Sequence, residues 1–166
     1  PMNDPQDQSV RADFRAGFVA IIGRPNVGKS TLINQLVGDH IAIATPTPQT
    51  TRDRIRGIRT FEEWQAVFID TPGIHEARNK LHRYMVELAV GTLGDSDLVY
   101  FLIDAAHFES KPEKVIEQTE AILEPLGAAG TPTILVLNKT DKVKNKLALL
   151  PMMEQLSGLY PFTEVI

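Results

Sequence analysis

Residues 23–30 are the part of this chain whose residue types and spacing are best suited to chemistry. Their sequence, Gly-Arg-Pro-Asn-Val-Gly-Lys-Ser, fits the phosphate-binding pattern GxxxxGK followed by Ser or Thr, with an apolar run before it and a helical pattern after it. Backbone N–H groups of such a loop curl around phosphates, while Lys29 can reach the β- and γ-phosphates and Ser30 can offer a hydroxyl to Mg²⁺. The predicted phosphate-binding residues are Gly23, Arg24, Pro25, Asn26, Val27, Gly28, Lys29, Ser30 and Thr31.

A second motif, Asp70-Thr71-Pro72-Gly73, follows an apolar strand pattern and so falls at a carboxyl strand end, where α/β sheets bind ligands. A carboxylate at that position can hold Mg²⁺ through a water, and Gly73 can bring its N–H close to a γ-phosphate. Alone, these four residues would indicate only a turn. Behind a phosphate-binding loop they predict a metal and phosphate contact.

The third motif, Asn138-Lys139-Thr140-Asp141, also follows a buried strand pattern. The carboxylate of Asp141 matches the two neighbouring donors of guanine, whereas adenine would leave it without partners. A site built on such pairing rejects the wrong base by about 10⁴-fold in favourable cases. The stem of Lys139 can cover the base face, and Asn138 can brace the phosphate-binding loop. Taken in order with the first two motifs, this one predicts GTP rather than ATP.

A polar loop between the first helix and the next strand contains Gln49-Thr50-Thr51-Arg52. Loops in this position close a threonine onto Mg²⁺ when a γ-phosphate is present. We expect Thr51 to be that ligand, with Thr50 as the alternative. The predicted Mg²⁺ ligands are therefore Ser30, Thr51 and Asp70.

The elements that must position these motifs alternate between apolar strands and amphipathic helices, which indicates an α/β fold with a mostly parallel sheet. A hairpin at 54–69 should add one antiparallel edge. The predicted strands cover 17–22, 54–60, 65–69, 98–103, 133–137 and 163–166. The predicted helices cover 31–37, 80–93, 110–126 and 146–157, and Ser110 with Glu113 is expected to form a capping box.

Composition is that of an ordinary globular domain, with 166 residues, 43% hydrophobic and 23% charged, and a net charge of −4. The absence of cysteine excludes disulfides and thiolate zinc sites and favours a cytoplasmic setting. No apolar run approaches the roughly 20 residues that span a bilayer. Residues 1–16 are expected to form a tail, with Pro1 a scar of tag cleavage, and 17–166 the domain.

The motifs together resemble the GTPase domain of the Era family, within the TrmE–Era group of bacterial GTPases. The resemblance rests on 23–30, 49–52, 70–75, 138–141 and Leu149-Leu150-Pro151, and it covers 17–166. It implies a P-loop G domain with a six-stranded sheet and helices on both faces, and a monomer that binds GTP or GDP with Mg²⁺ and hydrolyses GTP slowly. It also implies a role in assembly of the small ribosomal subunit, with its rRNA contacted mainly through a KH domain absent from this chain. The resemblance is compatible with peripheral membrane contact.

Several interpretations remain open at this stage. In TrmE-like relatives an asparagine equivalent to Asn26 helps to bind K⁺, but here it could equally brace the loop. Ile74 stands where many GTPases carry a glutamine that orients water, and His75 is better explained as a solvent-facing residue than as a base. Alternating arginines at 52, 54 and 56, with Arg59 nearby, suit edge-strand protection more than RNA docking. A GTP-binding module without hydrolysis and a P-loop kinase are the rival functions.

Overall fold

The computed structural model describes residues 14–38, 55–70 and 96–166. Within these ranges the chain forms six strands, four α-helices and two 3₁₀ turns, Thr140–Lys142 and Lys146–Ala148. The strands are β1 (Arg15–Gly23), β2 (Ile55–Thr60), β3 (Trp64–Asp70), β4 (Leu98–Asp104), β5 (Thr133–Asn138) and β6 (Glu164–Val165). The helices are α1 (Lys29–Val37), α2 (Ala105–Ser110), α3 (Pro112–Ala129) and α4 (Leu149–Ser157).

The strands form one sheet in the order β2-β3-β1-β4-β5-β6. All pairings are parallel except that of β2 with β3, which is antiparallel. The carboxyl ends of β1, β3, β4 and β5 consequently meet at one edge of the sheet. The predicted α/β architecture with an antiparallel edge hairpin is confirmed.

Helices pack on both faces because the inner strands carry apolar residues on both sides, as parallel strands do. On one face, Val19, Ile21 and Phe68 pack with Ile33 and Val37 of α1. The opposite face is covered by α2, α3 and α4, whose buried residues join those of β1, β4 and β5 in a second cluster that includes Ala20, Ile22, Phe101, Phe108, Leu123, Leu135 and Leu156. The prediction of helices on both faces is also confirmed.

The predicted capping box at Ser110 and Glu113 is wrong, because α2 lies where the sequence suggested a connection. The carboxylate of Asp104 accepts a hydrogen bond from the N–H of His107 at 3.0 Å and starts α2 directly after β4. Ser110 ends this helix, and its hydroxyl donates to the carbonyl of His107. The next helix, α3, begins at Pro112, where the missing N–H of proline removes no helical hydrogen bond.

Smaller differences concern element ends. Strand β1 starts at Arg15, two residues before the predicted start, because Arg15 pairs with Trp64 of β3. The predicted helix 80–93 lies outside the described residues. Among the helices that the structure does describe, none combines the length and apolarity that crossing a membrane requires.

Candidate nucleotide-binding site

The candidate site is assembled at the carboxyl edge of the sheet. Asp70 ends β3 and follows the position at which Ile69 pairs with Ala20, so it stands opposite Ile21 of β1. Asp104 and Asn138 are register partners at the ends of β4 and β5. The edge where ligands of parallel sheets bind therefore holds the loop 23–30, the motif 138–141 and Asp70, the first residue of the motif 70–73.

The backbone of the loop 23–30 has positive φ angles and close contacts that favour glycine or asparagine at three positions. Gly23 and Gly28 have φ of 150° and 104°, and Asn26 is left-handed at 64°. A Cβ on Gly23 would lie 2.7 Å from the carbonyl oxygen of Leu102, and one on Gly28 would collide with the Asn138 amide nitrogen. Helix α1 begins immediately afterwards at Lys29, so its N-terminus, which favours anions, faces the loop.

Lys29 is held against the loop rather than extended into solvent. Its side chain is buried, and Nζ donates to the carbonyl oxygens of Gly23 and Arg24, both at 2.9 Å. The ammonium therefore sits inside the loop whose N–H groups are predicted to bind phosphate. A positive charge placed at a helix N-terminus in this way is suited to the β- and γ-phosphates of a nucleotide.

The third motif contacts the first one directly. Asn138 Nδ2 donates to the carbonyl oxygen of Val27 at 2.7 Å, which is the brace that the sequence suggested. Lys139, whose backbone is left-handed with φ of 59°, donates from Nζ to the carbonyl oxygen of Asn26. Residues more than a hundred positions apart in sequence therefore make one structure, in which the predicted base-binding motif shapes the predicted phosphate-binding loop.

Asp104 belongs to this structure but was missed by the sequence analysis. One carboxylate oxygen accepts from Lys139 Nζ at 2.7 Å, and the other accepts from the N–H of His107. Burial raises the pKa of Asp104, but the hydrogen bonds from Lys139 and the start of α2 outweigh burial and lower it overall. The available signal was its position after the apolar run 98–103, at the same strand edge as the other motifs.

The turn that carries Asp141 is held from outside the motif. Asp141 is exposed in the first 3₁₀ turn, and Lys146 Nζ donates to its carbonyl oxygen at 3.0 Å. The carboxylate of Glu109, on α2, accepts from the N–H groups of Lys144 and Asn145 at 3.0 and 2.9 Å. The hydrogen bond from Asn145 lowers the pKa of Glu109 most, and that from Lys144 lowers it further. Glu109 therefore stays ionised while it holds this backbone segment in place.

His107, on the same short helix, is influenced by the loop. Burial lowers its pKa, and the nearby charge of Arg24 lowers it further. A neutral imidazole is therefore favoured next to the cationic loop.

The remaining predicted contacts fall on residues that the structure does not describe. Gln49, Thr50, Thr51 and Arg52 lie outside the described residues, as do Thr71, Pro72, Gly73, Ile74 and His75. The Mg²⁺ ligand set and the choice between Thr50 and Thr51 stay predictions. Ser30 is exposed in the first turn of α1, next to Lys29, and Thr31 is exposed beside it.

Arg59 is engaged within the fold. Its guanidinium donates to the carbonyl oxygen of Leu36, near the end of α1, and lies 4.6 Å from the ring centroid of Phe61. These contacts favour the structural interpretation of this arginine over RNA docking.

A glycine loop lies between β1 and α1, and an Asn-Lys-x-Asp motif contacts it from the end of β5, two strands away in the sheet. This arrangement defines a P-loop nucleotide-binding domain of the G-domain type. Comparison with known proteins agrees with this class. The family model of the 50S ribosome-binding GTPases matches residues 18–139, and the chain belongs to that family.

The curated relatives that the chain resembles include proteins named GTPase Era. That of Geotalea daltonii (strain DSM 22248 / JCM 15807 / FRC-32) is 51% identical over 153 residues, covering 92% of this chain and 49% of the relative. That of Coxiella burnetii (strain Dugway 5J108-111) is 46% identical over 151 residues, covering 90% and 48%. The resemblance to the Era family is thus confirmed, and the chain spans about half the length of these relatives.

Solved structures give the same result. A crystal structure of Era in complex with MgGDPNP and nucleotides 1506–1542 of 16S ribosomal RNA is 38% identical, with a TM-score of 0.65, over 92% of this chain and 50% of that chain. A variant of Aquifex aeolicus Era bound to GDP·AlF4⁻ is 37% identical, with a TM-score of 0.62, over 91% and 50%.

Proposed function

We propose that this chain binds GTP and GDP with Mg²⁺, hydrolyses GTP slowly, and acts as a molecular switch in assembly of the small ribosomal subunit. The observation that carries the proposal is the pair of contacts from Asn138 and Lys139 to the carbonyl oxygens of Val27 and Asn26. They join a base-binding motif to a phosphate-binding loop across the edge of the sheet. The spacing suits one ligand that carries both a base and phosphates.

In this proposal each residue has a defined task. Backbone N–H groups of residues 24 and 26–31, with that of Gly73, bind the phosphates, and Lys29 neutralises charge between the β- and γ-phosphates. Asp141 accepts hydrogen bonds from guanine, and the stem of Lys139 covers the base. The switch segments are residues 49–51 and 70–73.

The proposed metal ligands are Ser30, Thr51 and Asp70. Hydroxyl and carboxylate oxygens are the donors that Mg²⁺ prefers. Exposed Ser30 is the second residue of α1, which follows β1, and Asp70 ends the neighbouring strand β3. This donor set fits the ion. When bound, Mg²⁺ would offset the charge that develops on the phosphate oxygens.

The ribosomal part of the proposal rests on the relatives. A solved Era structure contains both MgGDPNP and a segment of 16S ribosomal RNA, and another contains GDP·AlF4⁻. The chain spans about half the length of these relatives, and we propose nucleotide turnover for it, with the small ribosomal subunit and its rRNA as partner. A cytoplasmic monomer, with peripheral membrane contact left open, completes the proposal.

Base selectivity provides the test of nucleotide identity. Titration with fluorescent GTP, ATP and xanthosine triphosphate should show GTP preferred over ATP by about 10⁴-fold. Asp141→Asn should weaken GTP binding and strengthen xanthosine triphosphate binding, because the 2-oxo group of xanthine needs a donor. The matched control is Asp97→Asn, which alters a carboxylate that accepts the N–H of Phe18 at the opposite end of β4. Equal affinity of the unaltered chain for GTP and ATP would contradict the assignment.

Single-turnover phosphate release distinguishes a switch from a binding module. We expect a rate of about 10⁻⁴ to 10⁻² s⁻¹ without a partner, as for GTPases that lack an external arginine finger. Lys29→Ala should abolish binding and turnover together. GTP binding without any phosphate release would leave a binding module, and phosphate release that survives Lys29→Ala would contradict the mechanism.

A further inference from the structure

Lys139 is held from two sides, and only one of them belongs to the predicted phosphate-binding loop. Its Nζ donates to the carbonyl oxygen of Asn26 and to Asp104 Oδ2, the latter at 2.7 Å. Its side chain remains about a quarter exposed, and that of Asp104 about a fifth. The ammonium at the tip of the side chain is thus fixed between the end of β4 and the loop 23–30.

Asp104 is itself held in place by the fold. Its second oxygen accepts the N–H of His107, and this hydrogen bond caps the N-terminus of α2. The backbone at Asp104 is in register with Asn138, the residue that precedes Lys139. Strand pairing and helix capping together leave the carboxylate little freedom, so it can act as a rigid anchor for the more flexible lysine.

We propose that Asp104 is a positioning residue for guanine nucleotides, which acts by holding Lys139 in the orientation that covers the base. This proposal rests on the proposed function and deepens it. An unanchored lysine loses rotamer freedom when a nucleotide binds, whereas the Asp104–Lys139 pair has already restricted it. The expected consequence is slower release of a bound guanine nucleotide, since affinity differences within one site arise mainly in the release rate.

The decisive variant is Asp104→Asn. Asparagine caps helices about as well as aspartate, so α2 should be retained while the charge opposite Lys139 is removed. We expect GDP to bind about tenfold more weakly, as for loss of a charge-assisted hydrogen bond, with the loss expressed in faster release. Asp104→Ser, which keeps a capping oxygen but is too short to reach the ammonium, should give the same result.

A double-mutant cycle separates positioning from general stability. Release of a fluorescent GDP analogue is measured for the unaltered chain, Asp104→Asn, Lys139→Ala and the double variant, with Asp97→Asn as control. The proposal requires the effect of Asp104→Asn to vanish when Lys139 is alanine and requires the control to match the unaltered chain. Thermal melting without nucleotide shows whether each variant is folded.

Two outcomes would overturn the proposal. One is nucleotide release from both the Asp104→Asn and Asp104→Ser variants at the unaltered rate. The other is an equal acceleration by Asp104→Asn in the presence and absence of the Lys139 side chain, which would mean that Asp104 acts only through α2. Failure of the unaltered chain to bind GDP or GTP at all would instead contradict the proposed function, and the two failures are therefore distinguishable.

Discussion

Gly28 offers a sharp test of the link between the two motifs. Its φ of 104° is unfavourable for any residue with a side chain, and a Cβ there would collide with Asn138 Nδ2. In Gly28→Ala we therefore expect two penalties. The left-handed backbone costs about 1–2 kcal/mol. Displacing the Asn138 amide removes its 2.7 Å hydrogen bond to Val27, which contributes about 1 kcal/mol. The free energy of unfolding should fall by about 2–3 kcal/mol.

Gly130, which follows the last residue of α3, provides the matched control. Its backbone is also left-handed, with φ of 66° and ψ of 10°, but a Cβ there would meet nothing within 4 Å. Gly130→Ala should therefore lose only the backbone contribution, about 1–2 kcal/mol. Urea unfolding followed by circular dichroism without nucleotide measures both variants, and titration with a fluorescent GDP analogue measures binding.

We expect Gly28→Ala to bind GDP at least about tenfold more weakly. The penalty of about 2–3 kcal/mol falls on the loop that would bind the phosphates, and about 1.4 kcal/mol already corresponds to a tenfold change in affinity. Gly130→Ala should bind GDP as the unaltered chain does. If Gly28→Ala were no less stable than Gly130→Ala and bound GDP normally, the mutual constraint of Asn138 and the loop would be refuted.

Two further predictions concern Asn26 and Asp104. If Asn26 helps to bind K⁺, GTP turnover should be faster in K⁺ than in Na⁺ at equal ionic strength. The variant Asn26→Gly should erase the difference, and glycine is chosen because it suits the left-handed backbone better than alanine. Equal rates in K⁺ and Na⁺ would mean that Asn26 only braces the loop. Because the pKa of Asp104 is lowered, its stabilising contribution is complete above about pH 4 and is lost as pH falls through the lowered pKa. Asp104→Asn should therefore lessen the fall in the free energy of unfolding as the pH drops below about 4. A pH dependence identical to that of the unaltered chain would contradict this.

The sequence predicted the features that depend on local pattern. Apolar runs marked β4 and β5, and the glycine loop between a strand and a helix marked the start of α1. It did not predict α2, because six residues are too few to show a helical period and because the start of α2 depends on the carboxylate of Asp104. The start of β1 at Arg15 depends on pairing with Trp64, about fifty residues away, which a local pattern does not contain.

The same limit applies to the candidate site. The motifs named the residues, and the chemistry of guanine suggested the role of Asp141, but the partners of Lys139 follow from the order of strands in the sheet. Asp104 carries no motif of its own, since a single acidic residue after an apolar run is common. Only the register of β4 with β5 places it beside the third motif.

The six residues of α2 have a consequence for protein engineering. The carboxylate at the start of this helix anchors Lys139, and that of Glu109 near its end fastens the backbone at Lys144 and Asn145. The turn that we propose to bind the base is thus held at both ends by a segment more than thirty residues upstream. A graft of residues 138–145 alone into another P-loop scaffold would leave both clamps behind. The transplantable unit is the turn together with 104–109, and a chimera that carries both should retain base selectivity where one that carries the turn alone does not.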